Sequence, residues 1–307
     1  MAFVAGWEYA RLANPFLLNR LPTQGSGESG YAAVIFLPRR PWFRRLSVTR
    51  WLCLAITAVA VFSCFFASRA SADRWLDMRS FGPFVCRADF PLNGHEQIFA
   101  DLARIQEDLV QHLKIPPAQE RIEVYLFRSR ANYDEYLNRW FPNVPYRRAL
   151  YVKNKGPGMV LAYFSSSLHT DMRHECTHAL LHASLPMVPL WLDEGLAEYF
   201  ENPAGERTSG SPHRKGLLWS LRLGQVPSLQ RLEAKRQLSE MGRTEYRAAW
   251  AWTHFLLHGP PEAQDELVRY LTDIRLRTPP GQFSDRLQRR LPDPTGNLVR
   301  HFKQTLQ

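Results

Sequence analysis

The stretch MRHECTHALLHASLPMVPLWLDEGLAEYFE, residues 172–201, decides how the rest of the chain is read. It places His174 and His178 four residues apart, with Glu175 directly after the first histidine. Four residues turn an α-helix by about 400°, so both imidazoles lie on one face, about 6 Å apart along the axis. A single Zn²⁺ can join them, and Glu175 can reach a water beside the ion without being a ligand. Catalytic zinc takes three protein ligands and keeps a fourth position open. Glu194 is the expected third ligand, on the next helix beyond a turn enforced by Pro186 and Pro189. Glu198, four residues further on the same face, is expected to accept the other ring N–H of a ligating histidine, the contact that fixes its tautomer. Gly195 costs a helix about 1 kcal/mol relative to alanine, and it predicts a close helix approach at that point.

The competing reading is an ordinary amphipathic helix, since a histidine pair at this spacing is more often a packed or solvated face. The joint pattern argues against it. The histidine helix follows a strand and precedes a turn, and a Glu-x-x-x-Glu helix comes soon after. His182 continues the stripe, but its Cα lies about 12 Å along the axis from that of His174, too far for one ion. It reads as a supporting or structural residue. His169 reads as exposed near the helix start, and the leucines and Trp191 read as core. The nitrogen and carboxylate donor set favours zinc, one ion per chain.

The strands and helices around this segment set the fold class. FGPFVCRADF (81–90) reads as a strand, GHEQIFADLARIQEDLVQHLKI (94–115) as a helix, and RIEVYLF (121–127) as a strand. SRANYDEYLNRWF (129–141) reads as a helix capped by Ser129. RALYVKNKGPGMVLAYFSSS (148–167) reads as two short strands around NKGPG. The histidine helix is expected over 167–183 and its partner from 190 to 201. A polar loop (202–216) comes next, and then segments of helical pattern only, from 216, 245, 261 and 294 onward. The expected class is α+β: a mixed sheet with helices, carrying the histidine helix, followed by a helical C-terminal half.

Charge and apolarity divide the 307-residue chain differently. Residues 1–72 hold eight arginines against two glutamates, a net of +6. Residues 73–307 hold 31 basic against 27 acidic residues, a net of +4. RRPWFRRLSVTR (39–50), WLCLAITAVAVFSCFFA (51–67) and the Ala70-Ser71-Ala72 site follow the order of a secretory signal peptide. The apolar run is at the lower edge of a membrane span, so an uncleaved signal anchor is the alternative. Residues 1–50 read as a leader, with a start codon that could lie further in; 51–72 as the apolar region and cleavage site; and 73–307 as the functional domain. The exported part is expected to be periplasmic or extracellular. Membrane contact is expected only if 51–67 stays uncleaved. Nucleic acid is not expected, because RLEAKRQ (231–237) is mixed in sign and no concentrated basic stripe follows residue 72. Phe62 makes a poor lipidation site of Cys64. Cys86 and Cys176 remain after cleavage; they read as buried free thiols, with a bridge between them as the alternative.

HECTHALL followed by VPLWLDEGLAEYFE resembles the gluzincins, zinc metallopeptidases with two histidines and a glutamate as ligands. The likeness is to small bacterial peptidase-MA-like proteins with a P-x-W-L-x-E-G-x-A-E-Y signature. It extends in element order over about 80–305 and is sharp over 172–201. It implies His174, His178 and Glu194 as zinc ligands, Glu175 as general base and Glu198 as support. YRAAWAWTHFLL (246–257) resembles the helix whose tyrosine stabilises an oxyanion in aminopeptidase-type gluzincins, with Ala249 where that group has glycine. This implies Tyr246 as a catalytic residue, with His254 as its substitute; a tyrosine packing a helix start is the alternative. The resemblance also implies that GMVLAYF (158–164) forms the sheet edge along the cleft, where an extended peptide could add as a strand. The expected activity is peptide-bond hydrolysis of a peptide or protein substrate, endopeptidase rather than exopeptidase. The alternative is a catalytically silent, zinc-stabilised binding or scaffold domain of the same fold.

Overall fold

The computed structural model describes residues 74–305. The leader, the apolar run and the cleavage site expected within 1–72 lie outside the described residues. Among the described residues one mixed sheet forms from β1 (Asp77–Phe81), β2 (Phe84–Ala88), β3 (Ile122–Phe127), β4 (Ala149–Val152) and β5 (Gly158–Tyr163). Its order is β1-β2-β3-β5-β4. β2, β3 and β5 are mutually parallel, and β1 and β4 close the two edges antiparallel to their neighbours.

The alternation in β3 explains the layers. Ile122, Val124 and Leu126 join the main core, while Tyr125 and Phe127 face the opposite way. There they meet Tyr136 and Tyr133 of α2 (Arg130–Trp140), with ring centroids 5.9 and 5.8 Å apart. Ser129 caps that helix as expected, accepting from the Asn132 N–H at 3.2 Å. On the core side, α1 (Glu96–Leu113) buries Ile98, Leu102, Ile105, Leu109 and Leu113, the stripe that its periodicity predicts. It packs against α3 (Leu168–Ser184), which lies on β5 and β4. The remaining helices follow: α4 (Leu190–Phe200), α5 (His213–Arg222), α6 (Leu229–Glu233), α7 (Arg243–His258), α8 (Pro261–Arg275), α9 (Phe283–Arg290) and α10 (Pro294–Thr305). The class is α+β.

Three details differ from the sequence reading. β1 was not expected: its residues alternate between half-buried and exposed, and none joins the fully buried set. α5 begins at His213, inside the expected polar loop. β5 is interior, hydrogen-bonded to β3 on one side and β4 on the other, so GMVLAYF is not the edge; β4 is. No helix among the described residues is long and apolar enough to cross a membrane. Cys86 and Cys176 are free and fully buried. Burial pushes the Cys86 thiol up to about 12, and Cys176 rises for the same reason.

α4 and α7 make the closest helix pairing. A Cβ on Gly195 would collide with the Thr253 hydroxyl and lie 2.7 Å from the Ala249 carbonyl oxygen. That backbone oxygen cannot move without moving α7. Gly195→Ala should therefore lower stability by about 1–3 kcal/mol, the usual cost of overpacking, despite alanine's better helix propensity. A shift of the urea midpoint at constant slope measures it; an unchanged or raised midpoint would show that the helices part freely.

Candidate metal centre

α3 turns Met172, Cys176, Ala179, Leu180 and Ala183 into the core, which leaves His174, Glu175 and His178 toward α4 and β4. α4 is buried over almost its whole length and brings Asp193 and Glu194 in its first turns. His174, His178 and Glu194 each offer a ligand atom within 4.8 Å of the others. The Oε2 of Glu194 stands 3.9 Å from the Nε2 of both histidines. That is too long for hydrogen bonds. It is near the roughly 3.3 Å that separates two ligands at about 2.0–2.1 Å from one tetrahedral ion. Glu194 is 3% exposed and accepts no hydrogen bond among the described residues. Burial pushes its carboxyl above the usual carboxylate range, against the pull of His178 and His174.

The other ring nitrogens are fixed by carboxylates. His174 Nδ1 lies 3.1 Å from Glu201 Oε2, and His178 Nδ1 lies 2.9 Å from Asp193 Oδ1. Each Nδ1–H donates, so each Nε2 is the ring nitrogen turned toward Glu194. His182 gives its Nε2 to the second oxygen of Asp193, at 2.9 Å, and is thus a support, as expected from its distance along the helix. Burial pushes the Asp193 carboxyl up, but His178 and His182 outweigh it and hold the group well below the ordinary carboxylate range. Burial lowers the two candidate ligand histidines, yet the carboxylates around them push His174 up to about 9 and His178 up to about 10. An orphaned buried carboxylate and two imidazoles held in such a field suit a divalent cation, and the donor set suits zinc.

Glu201 and Asp193 take the role expected of Glu198. Glu198 Oε2 instead accepts from His213 Nε2 at 2.7 Å, at the start of α5. The physical reason is the extra turn: Glu201 closes the C-terminal end of α4 beside His174, and Arg173 holds its backbone carbonyl at 2.6 Å while pairing with Asp101 on α1. Glu198 still lies within ligand distance of His174 and Glu201. Asp193 and Glu201 were missed in the sequence. Glu201 falls seven residues after Glu194, a helical repeat that could have found it.

Glu175 is held by the sheet. Its Oε2 accepts the Tyr151 backbone N–H at 2.7 Å, so the edge strand β4 lies along the candidate base. The Tyr151 ring stacks beside His178 and His182, with centroids 6.3 and 5.7 Å away. Gly158 makes room for that ring; a Cβ there would lie 2.9 Å from it. Tyr246, half-buried on the first turns of α7, feels the charges of Glu194 and Glu198. Burial first, then Glu194, pushes its hydroxyl up to about 12, although Arg147 hydrogen-bonds to it and opposes the rise. A guanidinium only donates, so the tyrosine O–H remains free to donate elsewhere. His169 lies on the first turn of α3, 3.8 Å from Asp101 and 45% exposed at its side chain.

His254 does not reach this site. It is fully buried, with Nδ1 3.0 Å from His301 Nε2 and Nε2 donating to the Thr208 carbonyl at 3.2 Å. Its place is a separate cluster with His258, which hydrogen-bonds Tyr199 at 2.7 Å. It is therefore no substitute for Tyr246.

No protein-family model matches the chain, and no curated protein matches it. Among solved structures, an M1 zinc metallopeptidase from Deinococcus radiodurans is similar over 75% of this chain, at 18% identity and a TM-score of 0.44. This chain spans 51% of that one's length.

Two expectations follow. Asp193→Asn and Glu201→Gln should each weaken zinc binding about 10–100-fold with the fold retained, as measured by chelator competition and circular dichroism. Unchanged affinity in both would show that the histidines need no orienting partner. The second concerns acid stability. Burial, with neighbouring histidine charges, pushes His254 down to about 3 and His258 down to about 4. Both titrate near 6.5 when unfolded, so below that pH the unfolded chain takes up protons that the folded chain refuses. Stability from this cluster is complete above pH 6.5 and falls toward pH 4. Tm should drop on acidification through this window, and the drop should be smaller in His258→Gln; equal drops would remove His258 from the account.

Proposed function

We propose that the chain is a zinc-dependent peptide hydrolase, with one zinc held by His174, His178 and Glu194. The observation that carries this reading is the pairing of a three-ligand cluster with a carboxylate base, Glu175, held by a main-chain N–H. When bound, zinc supplies Lewis acidity and a water acidic enough to lose a proton near neutral pH. Glu175 has one oxygen tied to Tyr151 and the other free. The free oxygen takes the proton from the attacking water and later hands it to the leaving amine. The Tyr246 hydroxyl stays protonated at neutral pH and donates to the developing oxyanion, oriented by Arg147. An extended peptide pairs with the edge strand β4, which passes directly beside Glu175. Such a strand-paired substrate runs past the site on both sides, which favours endopeptidase action. We read the 39–72 segment as an export signal, which would put the reaction outside the cytoplasm.

Glu175→Gln tests the reading. It keeps the shape and the hydrogen bond from Tyr151 but removes the base. Zinc content should stay near one per chain, while hydrolysis of a peptide library should fall by about 10²–10⁴-fold. Hydrolysis at the wild-type rate by the variant would sink the mechanism. A zinc-loaded wild type that cleaves nothing would support the binding or scaffold domain instead.

A further inference from the structure

Beyond Ala72, the segment from α5 to the start of α7 carries one of several local excesses of positive charge. Residues 213–247 hold eight basic and three acidic residues, a net of +5, against +4 for the whole of 73–307. The three acids of this segment are engaged by backbone N–H groups. Glu233 turns its carboxylate to the backbone N–H groups of Phe283 and Ser284. Glu240 accepts from Arg236 and Gln237, and Glu245 accepts from Gly242. The cations are left over: Lys215, Arg222, Arg231, Lys235, Arg236 and Arg243 have no ion-pair partner among the described residues. Other basic side chains do pair, as in Arg173–Asp101 and Arg286–Glu266.

The same surface carries two exposed large apolar side chains. Lys215, Trp219, Arg222 and Leu223 follow the i, i+4, i+7, i+8 pattern, one outward stripe along α5 and its last turn. Trp219 is 63% exposed and Leu223 67%. α5, α6 and the start of α7 also enclose a cavity of about 450 Å³. Leu217, Val226 and Leu232 form its apolar wall and Arg231, Lys235 and Arg247 its basic one, with Glu245 also on the lining, its carboxylate accepting from the Gly242 N–H. Arg247 donates to the Gly216 carbonyl and Ser220 hydroxyl, while its Nε is buried without a partner.

We propose that this face docks on the surface of an anionic lipid bilayer. Trp219 and Leu223 enter the interfacial layer, Lys215 and Arg222 stay at headgroup depth, and a lipid phosphate sits in the cavity at Arg231, Lys235 and Arg247. An acidic polypeptide would satisfy the cations but gives no reason for an indole and a leucine held out in water one turn apart. An interfacial helix needs both: an aromatic body for the boundary and basic groups for the headgroups. The inference is independent of hydrolysis and of the 51–67 segment.

The test uses the full chain and the fluorescence difference between wild type and Trp219→Phe, which isolates Trp219 and cancels every tryptophan common to both, including Trp51. Vesicles carry bromine on the acyl chains near the headgroup and consist of phosphatidylcholine alone or with phosphatidylglycerol. The Trp219 signal should shift to the blue and be quenched on the anionic vesicles only. Arg231→Gln and Lys235→Gln should each weaken that response about fivefold, the usual contribution of one basic residue near an anionic surface. Added salt should reverse it. A Trp219 signal that stays water-like on anionic vesicles overturns the proposal. So does a signal that responds to poly-glutamate or inorganic phosphate while vesicles leave it unchanged, which would assign the face to an acidic polymer or a small anion.

Discussion

One buried carboxylate joins the two helices on which the site depends. Asp193 is 1% exposed and gives an oxygen to each of two histidines a turn apart on α3, His178 and His182. A charge so deeply buried is tolerable only when it is fully paired. α4 therefore has a single position along α3, the one that satisfies both imidazoles. Glu194 is the next residue, so the same constraint delivers a second carboxylate to the faces of His174 and His178. The His178 tautomer and the position of the candidate third ligand are thus set by one ion-paired contact, while Glu201 orients His174. Its location in the first turn of α4 helps, since the helix N-terminus favours negative charge.

What the sequence made legible was local. The helical repeat puts His174, Glu175 and His178 on one face whatever surrounds them, and Pro186 and Pro189 announce the turn that returns Glu194. The α+β class follows from the change of period along the chain. The missed features depend on how one element lies against another. Glu198 was given a histidine partner because it is four residues from Glu194, but the partner supplied by the fold is His213, on a helix that begins within a stretch that looked like a loop. Glu201 was passed over because it sits at the very end of α4, where Arg173 and Asp101 hold the chain. The edge of the sheet was misplaced because strand order is not written in the period of a strand. β4 has four residues and no strong pattern, yet it is the edge. His254 looked available because a histidine on a helix says nothing of what packs on it; the α10 side chains His301 and Phe302 close over it.

α7 ties the second half of the chain to the first. Its middle presses on Gly195, its first turns carry Tyr246 beside Glu194, and its last turns carry the buried histidines. A single rigid helix thus fixes how far the tyrosine hydroxyl stands from the carboxylates of α4. The pairing works at backbone contact because neither Gly195 nor Ala249 has a side chain long enough to intervene. Ala249 presents its backbone carbonyl to the glycine opposite.

The link between Tyr151 and Glu175 has a consequence for how such a site can change over generations. The donor is a main-chain amide, which every residue except proline possesses. The ring of residue 151 can therefore be exchanged, altering what lies beside His178 and His182, without loss of the bond that holds the carboxylate. In the proposed hydrolase, selectivity and base placement would be heritable separately. A lineage could explore new neighbours for the reacting centre through this one position while the acid–base group stays where it is.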